Sequence, residues 1–309
     1  MATTDDIRQA VVEIQKKAVE ADRPVYAARA GKVGGGTAAD LIPTIPAMFE
    51  PFYEIPPDEA FQLPIQDLDA ALARLSPGEL PSDLMTGAGL MPASPIYGDM
   101  ATVHDQLVDW QGDAAYNFVR NFVNPFRDVT KNQYLAVSVI RALLAAEREM
   151  WNKTRNDVLK MAKDTATVLD SVNDCDPAKL ALQFTIAGAI IATATADFSG
   201  MAIIVWTGVS SGAGVVSGAL GLVKNDKPDL SVKGGNVRAI LQSLQKGLDQ
   251  SVELANQTEA LIAQAVRINS GIISRDPGSF VTNQPAITGI TKQNVGDQDH
   301  FGAHRRGTS

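Results

Sequence analysis

The chain has 309 residues, 45% of them hydrophobic and 20% charged, with a net charge of -8 and a single cysteine. That length holds one elongated domain or two compact ones. The negative charge argues against a nucleic-acid footprint and against simple attraction to anionic lipid, and the lone Cys175 excludes an intrachain disulfide and a cysteine metal cluster.

Residues 4–21 read as a short helix, with Thr4 as cap, Asp5 and Asp6 in its first turn and Lys16-Lys17 near its end. The opening residues lack the basic and apolar regions of a secretory signal peptide, so export is expected to need another route. Residues 23–57 carry Gly34-Gly35-Gly36 and six prolines, and are expected to be extended or looped. Ile42, Ile45, Phe49 and Phe52 make this segment too apolar for a free linker, so it should lie against the body. A helix follows over 58–75, with Leu68, Leu72 and Leu75 on one stripe and Pro64 expected to mark its true start. A second Pro- and Gly-containing connection occupies 76–95. Residues 1–95 are thus read as N-terminal helices and connections packed on the body.

From 99 to 123 the spacing is helical apart from Trp110-Gln111-Gly112, and Pro125 disfavours helix at Asn124. No Pro or Gly interrupts 130–172. There Val137, Ile140, Leu144, Trp151, Val158, Met161, Val168 and Val172 fall on one heptad frame, which predicts a helix about 65 Å long. Asn173-Asp174-Cys175-Asp176-Pro177 ends it. Helical spacing resumes over 236–270 through Leu241, Leu244, Leu248, Ala255, Ile262 and Ala265. Residues 96–270 are read as the bundle, and 271–309 as a mobile tail.

The segment 180–223 holds one ionisable residue, Asp197. A membrane-spanning helix needs roughly 20 apolar residues, so this length fits two, turning near Asp197-Phe198-Ser199-Gly200. Gly208/Gly212, Gly214/Gly218 and Gly188/Ala192 have the spacing that lets helices touch backbone to backbone. Two readings stay open. The helical pair is a permanent core inside a soluble bundle, or it is a hairpin that enters a bilayer conditionally, with Asp197 and Gly200 wet at its tip. Its many Thr, Ser and Gly residues speak against constitutive spanning.

In Trp110-Gln111-Gly112 the glycine supplies a backbone conformation that reverses the chain, and the Trp ring packs across the junction. Asp113 can cap the next helix, Ala114 and Ala115 permit close helix approach, and an aromatic follows at Tyr116. The pattern Trp110-Gln111-Gly112-Asp113-Ala114-Ala115-Tyr116-Asn117-Phe118 resembles the WXG100-like substrates of type VII (ESX) secretion systems. The resemblance covers about residues 99–126 and implies export without a signal peptide. It departs from that family in two ways. Pro92 and Pro95 leave only a short helix before the turn. The residues four after each tyrosine are Ala30, Pro57, Ala101, Arg120 and Ser138, so the export signal Y-x-x-x-[DE] is absent and a partner is expected to carry it.

Thr207-Gly208-Val209-Ser210-Ser211-Gly212-Ala213-Gly214, after the strand-like Ala202-Ile203-Ile204-Val205, resembles the cofactor loop of short-chain dehydrogenases. That family needs a downstream tyrosine, and none follows Tyr134. His300 and His304 lie beside Gly302, without a helix to align them as ligands. No catalytic, cofactor or metal site is therefore expected.

The expectation is a mainly α, elongated helical bundle with long antiparallel helices and a central apolar helical hairpin. Long helix, apolar hairpin, long helix also resembles the layout of α-helical pore-forming toxins. The function expected is non-enzymatic. The protein is expected to be secreted or envelope-associated and to act by assembly with other chains, itself or a secretion partner, and by conditional membrane contact. The alternative is a soluble structural or adaptor protein that oligomerises through its long helices.

Overall fold

The computed structural model describes residues 2–29, 38–80, 89–107, 109, 112–172, 202–206, 215–219 and 236–282. The fold is mainly helical. Helices α1 (Thr4–Arg29), α2 (Ile45–Phe49), α3 (Glu59–Leu75), α4 (Pro95–Gln106), α5 (Asp113–Phe118), α6 (Asn124–Ser171) and α7 (Val237–Arg275) follow in chain order. Two strands, β1 (Ala202–Trp206) and β2 (Val215–Ala219), pair in one sheet.

The chain divides into two compact units. The first comprises 1–62, 144–202 and 219–263, the second 63–143, 203–218 and 264–309.

The first unit owes its core to apolar stripes at helical spacing. Ile7, Val11, Ile14 and Ala18 of α1 meet Val158, Met161, Ala162 and Leu169 of α6 and Ile240, Leu241, Leu244 and Leu248 of α7. The α1 N-terminus is closed by a reciprocal cap. The Thr3 N–H donates to Asp6 Oδ2 at 2.8 Å and the Asp6 N–H to Thr3 Oγ1 at 3.1 Å. The cap is thus Thr3 and not Thr4, and the bonds from Thr3 hold the Asp6 pKa below its ordinary value.

Residues 42–52 were expected to be extended or looped, but they form short helical turns, with Ile42, Ile45, Phe49 and Phe52 buried in this core. The prolines there sit at first-turn positions, where a missing N–H leaves no bond unmade. Helix α1 likewise extends beyond residue 21 to Arg29. The segment before α3 is pinned to α6. Arg155, only 4% exposed, donates to the Pro56 carbonyl at 2.5 Å and to Asn152 Oδ1 at 3.1 Å.

The second unit packs Leu72 of α3 against Tyr134 and Leu135 of α6. Pro64 lies inside α3 and does not mark its start. Ala60, whose carbonyl loses its helical donor to Pro64, is exposed and free to meet water. Three bonds tie the chain at Leu75 and Ser76 to the chain at residues 91–97. The Ser94 N–H donates to the Ser76 carbonyl, the Ser76 hydroxyl to the Met91 carbonyl, and the Tyr97 hydroxyl to the Leu75 carbonyl.

Asn124 is helical despite Pro125. The turn before it widens to π geometry over Val119–Val123, and the Asn124 N–H reaches back to the Val119 carbonyl. The wider turn accommodates a ring that cannot donate to the preceding turn.

Asn269 Nδ2 donates to the Ala136 carbonyl in the second unit, and in the first the Glu147 carboxyl, raised in pKa mainly by burial, also feels the Glu259 charge. Numbers rise along α6 as they fall along α7, so the two long helices are antiparallel. Helix α7 outruns residue 270, and Phe280 is buried behind a short 3-10 turn at Pro277–Ser279. Asn132 and Gln133 donate to the carbonyls of Ser279 and Phe280 at 2.9 and 2.6 Å. Residues 271–280 are therefore part of the second unit's packing and not a mobile tail; 283–309 lie outside the described residues.

The apolar stretch requires a further correction. Its described parts, 202–206 and 215–219, are paired strands and not helices of a hairpin. Ala202-Ile203-Ile204-Val205-Trp206 is rich in β-branched and aromatic side chains, which favour a pleated strand over a helix. The rest of 180–223 lies outside the described residues.

Candidate functional site

The α4–α5 corner and the cleft beside it form the best-defined candidate site, within the second unit. Helix α4 starts at a cap that its sequence encodes. Ser94 is extended (φ -64°, ψ 140°), its side chain accepts from the Ile96 N–H, and Pro95 takes the first helical position. The helix stops at Leu107, and α5 begins after Gly112, whose φ of +103° is strained for any residue with a Cβ. Past the corner, Ala115 is buried while Tyr116 points outward at 63% exposure.

The chain folds back so that Tyr97 of α4 meets Phe126 of α6 edge-on, with ring centroids 6.3 Å apart at 69°. Phe118, Phe122 and Phe126 stack down one face at 5.3 and 6.2 Å. The i, i+4 spacing that makes this row is legible in the sequence. Between α4 and the start of α6 lies an open cleft of about 410 Å³. Tyr97, Met100, Val123 and Phe126 line its floor, and His104, Asp105, Asn124 and Arg127 its rim.

The charges at the rim are balanced within the protein. Arg127 pairs with Glu79, and Lys131 approaches the same carboxylate at 3.8 Å. His104 Nδ1 lies 3.6 Å from Asp105 Oδ1 on the surface. Burial pushes the Tyr97 phenol above its ordinary pKa, so it stays protonated and donates to the Leu75 carbonyl. Among the described residues no group of three metal-ligating side chains converges. The cleft can hold an apolar or aromatic group against Tyr97 and Phe126. Its rim offers hydrogen bonds, but no side chain there is set up by a neighbouring base as a nucleophile.

The sequence-derived residues distribute unevenly. Gly112 forms the turn, Ala114 lies in α5 and Ala115 is buried there, while Trp110 falls outside the described residues. Gly218 lies in β2, so it is not a packing glycine of a helical pair. Gly188, Asp197, Gly200, Gly208, Gly212 and Gly214 fall outside the described residues. Sequence reasoning missed Tyr97, Asn124 and Arg127 as cleft residues. Only the fold-back brings residues 97 and 126 together, and no local spacing encodes it.

No family model matches the chain, and no curated protein or solved structure matches it either.

Proposed function

We propose that this chain is a non-enzymatic, secreted or envelope-associated helical protein of the type VII secretion kind. It works by assembly with other chains and by conditional contact of residues 180–223 with a bilayer. The observation that carries this reading is the corner at Gly112, where a left-handed glycine is followed by a buried alanine between helices that fold back on each other. The export partner supplies the signal that the tyrosines of this chain lack.

Among the described residues no helix is long and apolar enough to cross a membrane. Strands β1 and β2 have five residues each, about 17 Å of extended chain, against a hydrocarbon core of roughly 30 Å. Open strand edges are also excluded from hydrocarbon. Bilayer contact by this stretch is therefore interfacial, or it requires the strands to refold or to pair with those of further copies.

The paired strands favour a second reading. Their mutual hydrogen bonds satisfy backbone groups without lipid, as a soluble oligomerising adaptor would require. Co-sedimentation of the purified chain with liposomes, followed by carbonate extraction, separates the two. Extraction-resistant pelleting supports membrane contact. Protein left in the supernatant, with a concentration-dependent mass by light scattering, supports the adaptor. A monomer that ignores liposomes overturns both.

A further inference from the structure

The cleft between α4 and the start of α6 joins an aromatic floor to a charged rim. Tyr97 and Phe126 stay half-buried although they touch each other, so ring surface is left for a third ring. Met100 lies beside them. The cleft volume of about 410 Å³ falls in the range of small-ligand sites, roughly 300–1,000 Å³.

The α6 wall carries its polar groups in a row. Asn124, Arg127 and Lys131 stand at i, i+3 and i+7, which share one helix face. The Asn124 amide makes no hydrogen bond among the described residues. Arg127 Nη2 holds Glu79 Oε1, and Lys131 Nζ approaches Oε2 of the same carboxylate at 3.8 Å. One carboxylate thus serves two cations, and among the described residues this wall keeps one positive charge in excess. Asp105, beside His104, carries a negative charge on the α4 wall. The rim is neutral as a whole and polarised across its width.

We propose that this cleft binds a small aromatic monocarboxylate, its ring on Tyr97, Met100 and Phe126 and its carboxylate in the place of Glu79 on Arg127, with Asn124 donating a further bond.

The second cation makes this exchange possible. When the ligand carboxylate takes Arg127, Glu79 falls back on Lys131, and no charge is left unpaired. The pair that breaks is exposed, 64% at Arg127 and 50% at Glu79, so parting it costs little. The guanidinium can then meet the ligand through two parallel bonds. Moving the ligand ring from water onto the apolar floor supplies the gain. Asp105 repels a second carboxylate, which favours monoacids over diacids.

The test titrates 3-phenylpropionate into the full chain carrying ¹³C-labelled methionine methyl groups. Met100 reports the cleft, and Met161, buried in the first unit, is the control. The Met100 resonance is expected to shift saturably under the ring current of the ligand while Met161 stays still. The neutral isostere 3-phenylpropanamide should bind roughly threefold more weakly, and Arg127→Gln should bring the acid down to the amide. Glu79→Gln frees Arg127 and should tighten the acid by roughly twofold. Raising salt from about 20 to 200 mM should weaken the acid and not the amide, a readout of the unsubstituted chain should a variant fail to fold. No saturable Met100 shift overturns the site. Equal affinity for acid and amide overturns the carboxylate, as does an acid affinity indifferent to salt. Unchanged or weaker binding in a folded Glu79→Gln overturns the exchange.

Discussion

Arg148 grips Asp58 with a forked pair of hydrogen bonds, Nε to Oδ1 and Nη2 to Oδ2, each 2.6 Å long. Asn152 adds a third at 2.7 Å, and the Asp58 side chain is only 12% exposed. A planar guanidinium matches a carboxylate in this geometry and no other side chain does. The grip anchors the residue just before α3 to the middle of α6.

Asp58→Ala should therefore lower the urea midpoint markedly, since it leaves Arg148 and Asn152 without their acceptor. Lys160→Ala, which removes an exposed i, i+4 pair with Asp164, should change stability by at most about 0.5 kcal/mol. The Arg148 and Asn152 bonds hold the Asp58 carboxyl far below its ordinary pKa. A depressed pKa gives stability that is present above 3.8 and lost only as pH falls below it. The grip should accordingly survive unchanged at pH 5. An Asp58→Ala penalty that vanishes between pH 7 and pH 5 would contradict this account.

Two glycines should respond to alanine with opposite signs. A Cβ at Gly112 meets nothing within 4 Å, so Gly112→Ala is penalised by its φ of +103° alone, by roughly 1–2 kcal/mol. Gly98 lies inside α4 with equally open space around it. Gly98→Ala should stabilise by about 0.5–1 kcal/mol through helix propensity. Chemical denaturation of both variants checks the pair, and equal signs would refute the assigned backbone.

Gly78→Ala is doubly disfavoured. Its φ is +76°, and the new Cβ would sit 2.9 Å from the Ala93 Cβ. Opening the 76–94 loop should break the bond from Tyr97 to the Leu75 carbonyl and widen the cleft. Loss of Tyr97 hydroxyl protection in hydrogen exchange would report it.

Core substitutions should separate sharply from surface ones. Leu241→Ala, at a fully buried position, should cost about 2–5 kcal/mol. Leu63→Ala, at 70% exposure, should stay within about 0.5 kcal/mol. Phe280→Ala should cost about 3 kcal/mol, because the ring is buried although it lies past the last long helix. A near-neutral Phe280→Ala would return 271–280 to the status of a tail.

Periodicity alone specified the fold class and the long helices. The apolar residues of 130–172 and 236–270 recur at helical spacing, and α6 and α7 bury those stripes, with Val158, Met161, Val168, Leu241, Leu244 and Leu248 all in one core. Helix ends were less legible, because α1 runs to Arg29 and α7 to Arg275, beyond their local signals. Prolines interrupt the helices less than their missing N–H suggests. Pro64 and Pro125 both sit within helical turns, one with its orphaned carbonyl at the surface and the other behind a π turn. The glycine spacing at 208–218 pointed to helix pairing, yet its described end, Gly218, is in a strand.

What the sequence by itself determined was the long helices, their apolar stripes and the glycine turn at residue 112, because each depends on neighbours within a turn or two of chain. What only the tertiary structure decided was the meeting of Tyr97 with Phe126 and of Asp58 with Arg148. Those pairings lie 29 and 90 residues apart in the chain. They are selected by which surfaces exclude water together, a property of the whole packed unit that no local spacing carries.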